Sequence, residues 1–304
     1  MPTAFLFAGQ GSQSVGMGSD LAASCSYCAA LFKRADEVLG FPLRHAMWEG
    51  TPDELRLTAV LQPAMVALEV AQARHLAALG RRAEWLAGHS VGQYSALVIA
   101  DSLPFEDALH LVRERGVLMQ EAVPDGIGAM AAVLGLDRGQ IRSLCRTVTG
   151  VVGIASHNAP GHTVISGENA AVAEASALCK EAGATIVQVP VSAPFHTALL
   201  EPMVPPFTRL VEKASFRDPR IPVIDNVSAR PLEDAGAVRR SLVLQVSAPV
   251  LFEESLRSLV ERGVTEFIQC GPGRSVLDFA KRVFPGAQLF TFAEAARSGI
   301  PAPH

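Results

Sequence analysis

The pentapeptide Gly88-His89-Ser90-Val91-Gly92 does most to restrict the folds open to this chain. It follows the apolar run Trp85-Leu86-Ala87 and leads into Gln93-Tyr94-Ser95-Ala96-Leu97-Val98-Ile99, which is compatible with a helix. A G-x-S-x-G sequence between strand and helix forces a sharp turn, in which glycines two residues either side of the serine leave room for a strained backbone. Ser90 is then exposed at the turn, beside the unpaired N–H groups that open the next helix and can stabilise an oxyanion. An ordinary glycine-rich strand-to-helix turn uses the same residues, and the pentapeptide alone does not separate the two readings.

The flanking sequence predicts an α/β protein. Thr3 to Ala8 is a short apolar run stopped by Gly9-Gln10-Gly11-Ser12-Gln13, the pattern of a buried strand ending in a loop. In open α/β sheets ligands bind at that carboxyl edge. The spacing of Gly9, Gly11 and Gly16 does not fit G-x-G-x-x-G, and no Gly-Lys-Ser/Thr follows, so neither a dinucleotide fingerprint nor a P-loop is present. Helical spacing covers 20–40 and ends at Gly40, Thr51-Pro52-Asp53-Glu54 has the form of a helix start, and Gln62-Pro63 opens a buried helix over Ala64 to Leu79. A further helix begins near Leu103-Pro104 and carries Arg113 and Arg115, which at about 100° per residue face opposite ways. One of the two is a candidate to point inward.

From Gly128 the texture changes. Strands at Ala129–Leu134, Val151–Ser156, His162–Ser166 and Thr185–Val191 alternate with helices at Arg138–Thr147 and Asn169–Glu181. The order β-α-β-β-α-β is ferredoxin-like. The expectation is a large α/β-hydrolase-like domain with a parallel sheet core, formed by 1–127 and 193–304, and a small ferredoxin-like subdomain over 128–192. The large unit resumes with a proline-rich helical region at 201–216, a strand at Pro222–Asn226, a helix at 251–262, a strand at Glu266–Cys270, and Gly271-Pro272-Gly273 before a helix from Ser275. That last turn is either a plain strand–helix connection or a phosphate cradle on the helix behind it. The residues after Arg297 are expected to fray.

Composition removes several function classes. A formal net charge of -4 and the lack of a basic stripe argue against nucleic acid as a partner. Five cysteines at 25, 28, 145, 179 and 270 do not form a disulfide framework and fit a reducing cytoplasm. Cys25-Ser26-Tyr27-Cys28 is a lone C-x-x-C without a second pair, and no metal site is expected. The start reads as a strand rather than a signal peptide, and no apolar run approaches the ~18 residues that span a bilayer.

Five ordered motifs then converge on one family. They are Phe7-Ala8-Gly9-Gln10-Gly11-Ser12-Gln13, Gly88-His89-Ser90-Val91-Gly92-Gln93-Tyr94, Arg115-Gly116-Val117-Leu118-Met119-Gln120, Ser192-Ala193-Pro194-Phe195-His196 and Gly271-Pro272-Gly273. Together, from about residue 4 to 290, they resemble the malonyl-CoA:acyl-carrier-protein transacylases and the related acyltransferases of polyketide synthases. The resemblance implies Ser90 as nucleophile and His196 as base. It also implies the backbone N–H groups of Gln10 and Val91 as oxyanion hole, and Arg115 as partner of a malonyl carboxylate. Gln62, His89, Asn158 and Gln245 fall at positions lining the site, with the histidine oriented by a backbone carbonyl near Gln245 rather than by an aspartate. Two positions depart or discriminate: Gln93 replaces the family's usual Glu, and Phe195 resembles the bulky residue of malonyl-using polyketide acyltransferases.

The implied function is transfer of malonyl, or a closely related dicarboxylic acyl group, from CoA to the phosphopantetheine thiol of an acyl carrier protein. The CoA thioester is substrate and no cofactor is permanently bound. A hydrolase clearing acyl groups from carriers and a carrier-to-carrier acyltransferase are the alternatives on the same fold. A non-catalytic docking subunit is disfavoured by the joint presence of Ser90, His196 and Arg115. His157 and His162 read as surface or loop residues, and neither Asp125 nor Asp225 is assigned as a triad acid. Arg81/Arg82, Arg217/Arg220, Arg239/Arg240 and Lys281/Arg282 are the basic pairs that could meet an acidic carrier.

Overall fold

Apolar runs too short to be helices pair side by side at the centre of the molecule. In the computed structural model, which describes residues 2–124, 126–190 and 193–298, Thr3–Phe7 (β1) and Trp85–Gly88 (β2) are adjacent parallel strands, with Phe7 opposite Gly88. Strands follow at Gly128–Leu134 (β3), Val152–Ala159 (β4), His162–Glu168 (β5), Thr185–Gln188 (β6), Val223–Ile224 (β7), Val250–Leu251 (β8), Glu266–Cys270 (β9) and Gln288–Thr291 (β10). The first sheet has the order β10-β9-β1-β2-β7, and all its pairings are parallel. A parallel sheet needs cover on both faces. The Thr58–Ala78 helix, apolar nearly all round and buried along most of its length, supplies part of that cover.

The second sheet has the order β6-β3-β5-β4-β8. Its first four strands pair antiparallel, the arrangement that the β-α-β-β-α-β pattern predicts. The fifth, β8, comes from outside that pattern and joins β4 in parallel, setting Ser156 opposite Val250 and His157 opposite Leu251. A two-residue strand carries too little periodicity to be read in sequence.

Several boundaries differ from expectation for local reasons. The helix expected over 20–40 is two, Ser19–Ser24 and Ser26–Leu39, broken where extended Cys25 caps the second. The buried helix begins at Thr58, six residues before the expected Ala64, and holds Pro63 within it. β4 continues through Asn158 to Ala159 across two register shifts, and β6 ends at Gln188, while Val191 lies outside the described residues. The 201–216 region is a 3-10 turn at Ala198–Met203 running into a helix at Val204–Lys213. The helix Ala235–Leu244 and strand β10 were not expected. Among the described residues no helix is long and apolar enough to cross a membrane.

Candidate active site

The carboxyl ends of β1, β2 and β9 open onto one edge of the parallel sheet, so the loops that follow them meet there. Ser90, after β2, has φ of 53°, a left-handed conformation that costs a non-glycine residue on the order of 1–3 kcal/mol. The flanking glycines are fixed by contact. A Cβ on Gly92 would come within 2.5 Å of the Phe7 carbonyl oxygen, and one on Gly88 within 2.0 Å of the Gly92 carbonyl carbon. Close approach of the turn to β1 holds Ser90 at the sheet edge.

His196 reaches the same point from a distant segment, also with positive φ, 56°. Its Nδ1–H donates to the Gln245 carbonyl oxygen at 2.8 Å, which leaves Nε2 to accept from Ser90 Oγ at 2.8 Å. The main-chain carbonyl fixes the tautomer. Asp225 does not take part: its carboxylate accepts from Ser241 and from Ser228, while Asp125 lies outside the described residues. Burial first, and then the charge of Arg115, push the His196 pKa down to about 3. The imidazole is therefore neutral at neutral pH and free to accept a proton.

Arg115 is the inward member of its helical pair. The Phe105–Ala122 helix lies against the Thr58–Ala78 helix at Gly116, where a Cβ would be 2.7 Å from Ala59. That approach brings Arg115, 1% exposed, to Gln62 on the neighbouring helix. Its Nη1 donates to Gln62 Oε1 at 2.7 Å, and its Nη2 to Gln245 Oε1 at 3.1 Å and to Ser90 Oγ at 3.3 Å. Nε has no partner, and burial lowers the guanidinium pKa. Arg113 instead lies over the Phe41 ring, 4.4 Å from its centroid.

A cleft of about 240 Å³ opens in front of the pair, and Gln10, His89, Ser90, Asn158, Phe195 and His196 are among the residues lining it. His89 Nε2 donates to Asn158 Oδ1 at 2.8 Å, and burial lowers the His89 pKa, so this ring is also neutral. Arg115, Gln62 and Gln245 lie behind Ser90 rather than on the cleft wall, joined to it by the hydrogen bonds above. Gln10 fixes its own loop by donating from Nε2 to Thr58 Oγ1 at 3.2 Å. The sheet edge thus gathers Gln10, His89, Ser90, Asn158, Phe195 and His196 around the cleft, with Arg115, Gln62 and Gln245 behind them.

Two expectations are overturned and one residue was missed. His157 is buried within β4, and His162 begins β5 and lines the cleft, so neither is a surface or loop residue. β8 pairs along β4, and Phe279 covers His162 with ring centroids 4.9 Å apart. Burial, with help from Arg282 and His89, holds the His162 pKa near 4. The missed residue is Asn226, fully buried just beyond β7. It accepts the Ser90 N–H at 2.8 Å, donates to the Gly88 carbonyl at 2.6 Å and accepts from Gln245 Nε2 at 3.1 Å. A polar side chain just past a buried parallel strand is the signal that could have marked it. Gln93 belongs to the same buried net, accepting from the Asn226 N–H and donating to Ser241.

A parallel sheet with a serine–histidine pair at its carboxyl edge is the architecture of an enzyme that works through an acyl-serine, whether the acyl group then goes to water or to another acceptor. The family model for acyl transferase domains matches residues 4–284. The chain is similar to malonyl CoA-acyl carrier protein transacylases, at 41% identity to that of Bacillus subtilis over 92% of this chain and 90% of the relative. To the Escherichia coli K12 protein it is 40% identical, over 92% of each. The solved transacylase from Xanthomonas oryzae superposes with a TM-score of 0.95 at 38% identity, over 98% of this chain and 97% of that one. A type II polyketide synthase acyl-carrier protein in complex with its malonyl-transacylase gives 0.92 at 38%, over 96% and 95%. On these matches the chain belongs to the malonyl CoA-acyl carrier protein transacylase family of acyltransferases.

Proposed function

We propose that this chain moves a malonyl group from CoA to the phosphopantetheine thiol of an acyl carrier protein through an ester on Ser90. The observation that carries the reading is the buried Arg115 guanidinium, 3.3 Å from Ser90 Oγ, which faces amide oxygens and no carboxylate among the described residues. A malonyl ester on Ser90 sets its free carboxylate two carbons beyond the linkage, within reach of that cation. Pairing supplies the missing counter-charge, and two parallel N–H···O bonds fix the acyl group. An acetyl group leaves the charge bare, which costs roughly 3–5 kcal/mol.

The steps follow from the hydrogen bonds. Ser90 Oγ attacks the thioester carbonyl as its proton passes to His196 Nε2. The oxyanion lies against the N–H groups of Gln10 and Val91, neither of which has a partner among the described residues. The C–S bond breaks and the CoA thiolate takes the proton from His196. The carrier thiol enters by the same cleft, gives its proton to His196 and takes the acyl group, and Ser90 recovers its hydrogen. The CoA thioester is a substrate, and the cycle uses no bound cofactor.

His89 and Asn158 brace the cleft wall, Phe195 narrows it beside the acyl group, and Gln62 and Gln245 hold Arg115 in place. Among the basic pairs, Arg282 acts on cleft-lining His162 strongly enough to help lower its pKa. That supports Lys281/Arg282 as the patch facing an acidic carrier. Arg81 is drawn to Glu266, Arg220 to Asp101, and Arg239 lies over Phe216.

Intact mass measurement tests the reading. Incubation with malonyl-CoA should add one malonyl group to the chain and none to Ser90→Ala, and the adduct should pass to a phosphopantetheinylated carrier. Free malonate released without an adduct or a loaded carrier would instead identify a hydrolase.

A further inference from the structure

The isolated C-x-x-C acquires in the fold a partner that the sequence keeps far away. Cys25 caps the Ser26–Leu39 helix, and its Sγ accepts the backbone N–H of Cys28 at 3.3 Å. Cys28 is buried one turn on, its thiol 3.7 Å from the Ala71 carbonyl oxygen of the Thr58–Ala78 helix. His75 follows Ala71 by one turn on that helix, so its ring comes to the same point. The two sulfurs and a ring nitrogen of His75 all lie within 4.8 Å of one another. Among the described residues this is the one group of three or more Cys, His, Asp or Glu side chains so arranged.

We propose that Cys25, Cys28 and His75 form a Zn²⁺ site whose fourth position is open to solvent. Two thiolates and an imidazole are the donor set of a borderline-soft d¹⁰ cation. Bond lengths of about 2.3 Å to sulfur and 2.0–2.1 Å to nitrogen in a tetrahedron place the donor atoms roughly 3.4–3.8 Å apart. Donor atoms already within 4.8 Å of one another need only draw together on binding to reach that spacing. The Cys28 N–H bond to Cys25 Sγ offsets thiolate charge and fixes that sulfur, as outer hydrogen bonds do at metal sites. Phe292 lies edge-on to the His75 ring at 5.9 Å and limits its rotation. Cys25 and His75 are partly exposed, which gives the ion a path in and a water its place.

None of the three side chains lines the Ser90 cleft. The ion ties the Ser26–Leu39 helix to the Thr58–Ala78 helix, and its role is to clamp two helices rather than to join the acyl chemistry. Binding displaces the thiol protons of Cys25 and Cys28 to solvent, so affinity rises with pH.

Cobalt titration of the full, untagged, reduced and chelator-treated chain tests the site. One equivalent of Co²⁺ should produce a thiolate-to-cobalt charge-transfer band with the strong visible bands of a tetrahedral ion, both displaced by Zn²⁺, and Zn²⁺ should raise the melting temperature. Cys25→Ser leaves one thiolate and should weaken binding and cut the charge-transfer intensity to about half or less at one equivalent, and His75→Ala should weaken binding roughly tenfold or more and shift the visible bands. Because Cys25 and His75 are partly exposed, these variants keep the fold where Cys28→Ser removes a buried group. Ser90 acylation should be unchanged in Cys25→Ser, which separates this test from that of the acyl-transfer reading. Absence of a thiolate band in the reduced protein, or a band of full intensity and unchanged affinity in Cys25→Ser, would overturn the proposal. So would a reduced pair that binds no ion and only closes to a disulfide under oxidant.

Discussion

Arg115 donates from Nη2 to Ser90 Oγ across 3.3 Å, so a fully buried cation and an uncharged hydroxyl share one hydrogen bond at the sheet edge. A cation kept dry beside a nucleophile-like oxygen, with amides as its neighbours, is poised for an anionic substrate group.

Arg115→Ala should slow acylation by malonyl-CoA by roughly two to three powers of ten, the equivalent of an unpaired buried charge, and raise acylation by acetyl-CoA, which no longer leaves a buried charge bare. Arg115→Lys should not restore malonyl use, because one ammonium cannot serve Gln62, Gln245 and a carboxylate with a planar fork. Rates of ester formation from the two thioesters provide the check. A malonyl-to-acetyl ratio equal to that of the unaltered chain would refute the selectivity role.

The pH dependence follows from His196, whose pKa near 3 reflects burial and the adjacent Arg115. The neutral imidazole is the reactive form, so activity should not fall through the ordinary histidine range near pH 6.5 but only at lower pH. A carboxylate that pairs with Arg115 cancels the charge that depresses the pKa. The acid limb of kcat, which reports the substrate complex, should therefore lie at higher pH than that of kcat/KM, which reports the free enzyme. Coincident limbs at the ordinary histidine value would contradict the coupling.

Glu69 is buried against Gly271 and the end of β1, where its Oε2 accepts from Ser95 Oγ at 2.6 Å and its Oε1 has no partner. Burial raises its pKa well above the ordinary carboxyl value, so the folded chain keeps a proton that the unfolded chain releases. Its contribution to stability is complete below the unfolded pKa near 4.5 and declines as pH rises toward the folded one, by about 1.4 kcal/mol per pH unit. Glu69→Gln mimics the protonated group and should remove that slope. Melting temperatures between pH 5 and 8 should show the variant gaining on the unaltered chain as pH rises, and a constant difference would mean Glu69 is ionised in the fold.

Gly92→Ala places a methyl group 2.5 Å from the Phe7 carbonyl oxygen and 2.7 Å from that of Ala8. Backbone cannot yield as a side chain does, so the turn must move away from β1. Circular dichroism should report a fold destabilised by about 1–3 kcal/mol, the usual cost of overpacking, and acylation of the folded fraction should fall because Ser90 loses its register with His196. Full acylation in this variant would show that the close approach is not needed.

The fold was legible where the signal is short-range. The run Thr3 to Phe7, the glycines around Ser90, the Thr51 capping box and the alternation after Gly128 are each set by backbone preference or side-chain periodicity within a few residues. The residues gathered at the sheet edge were legible by a different route, through motifs whose order along the chain resembles a family. β8 escaped because two residues have no period, and His157 and His162 were misplaced because what buries them, Leu251 and Phe279, belongs to segments about a hundred residues on.

By itself the sequence determined that a serine would stand on a strained strand–helix turn, since only glycines at 88 and 92 permit it, and that the chain would build one parallel sheet and one set of four antiparallel strands. Tertiary structure turned Arg115 inward and laid Arg113 over Phe41, brought the Gln245 carbonyl to His196, both as the family resemblance implied, and made Asn226 the clamp on the turn, which no motif announced. It also brought His75 to the cysteine pair. The physical reason is range: torsional preference and periodicity act between neighbours in the chain, whereas these hydrogen bonds and contacts exist only after distant segments have closed around a common core.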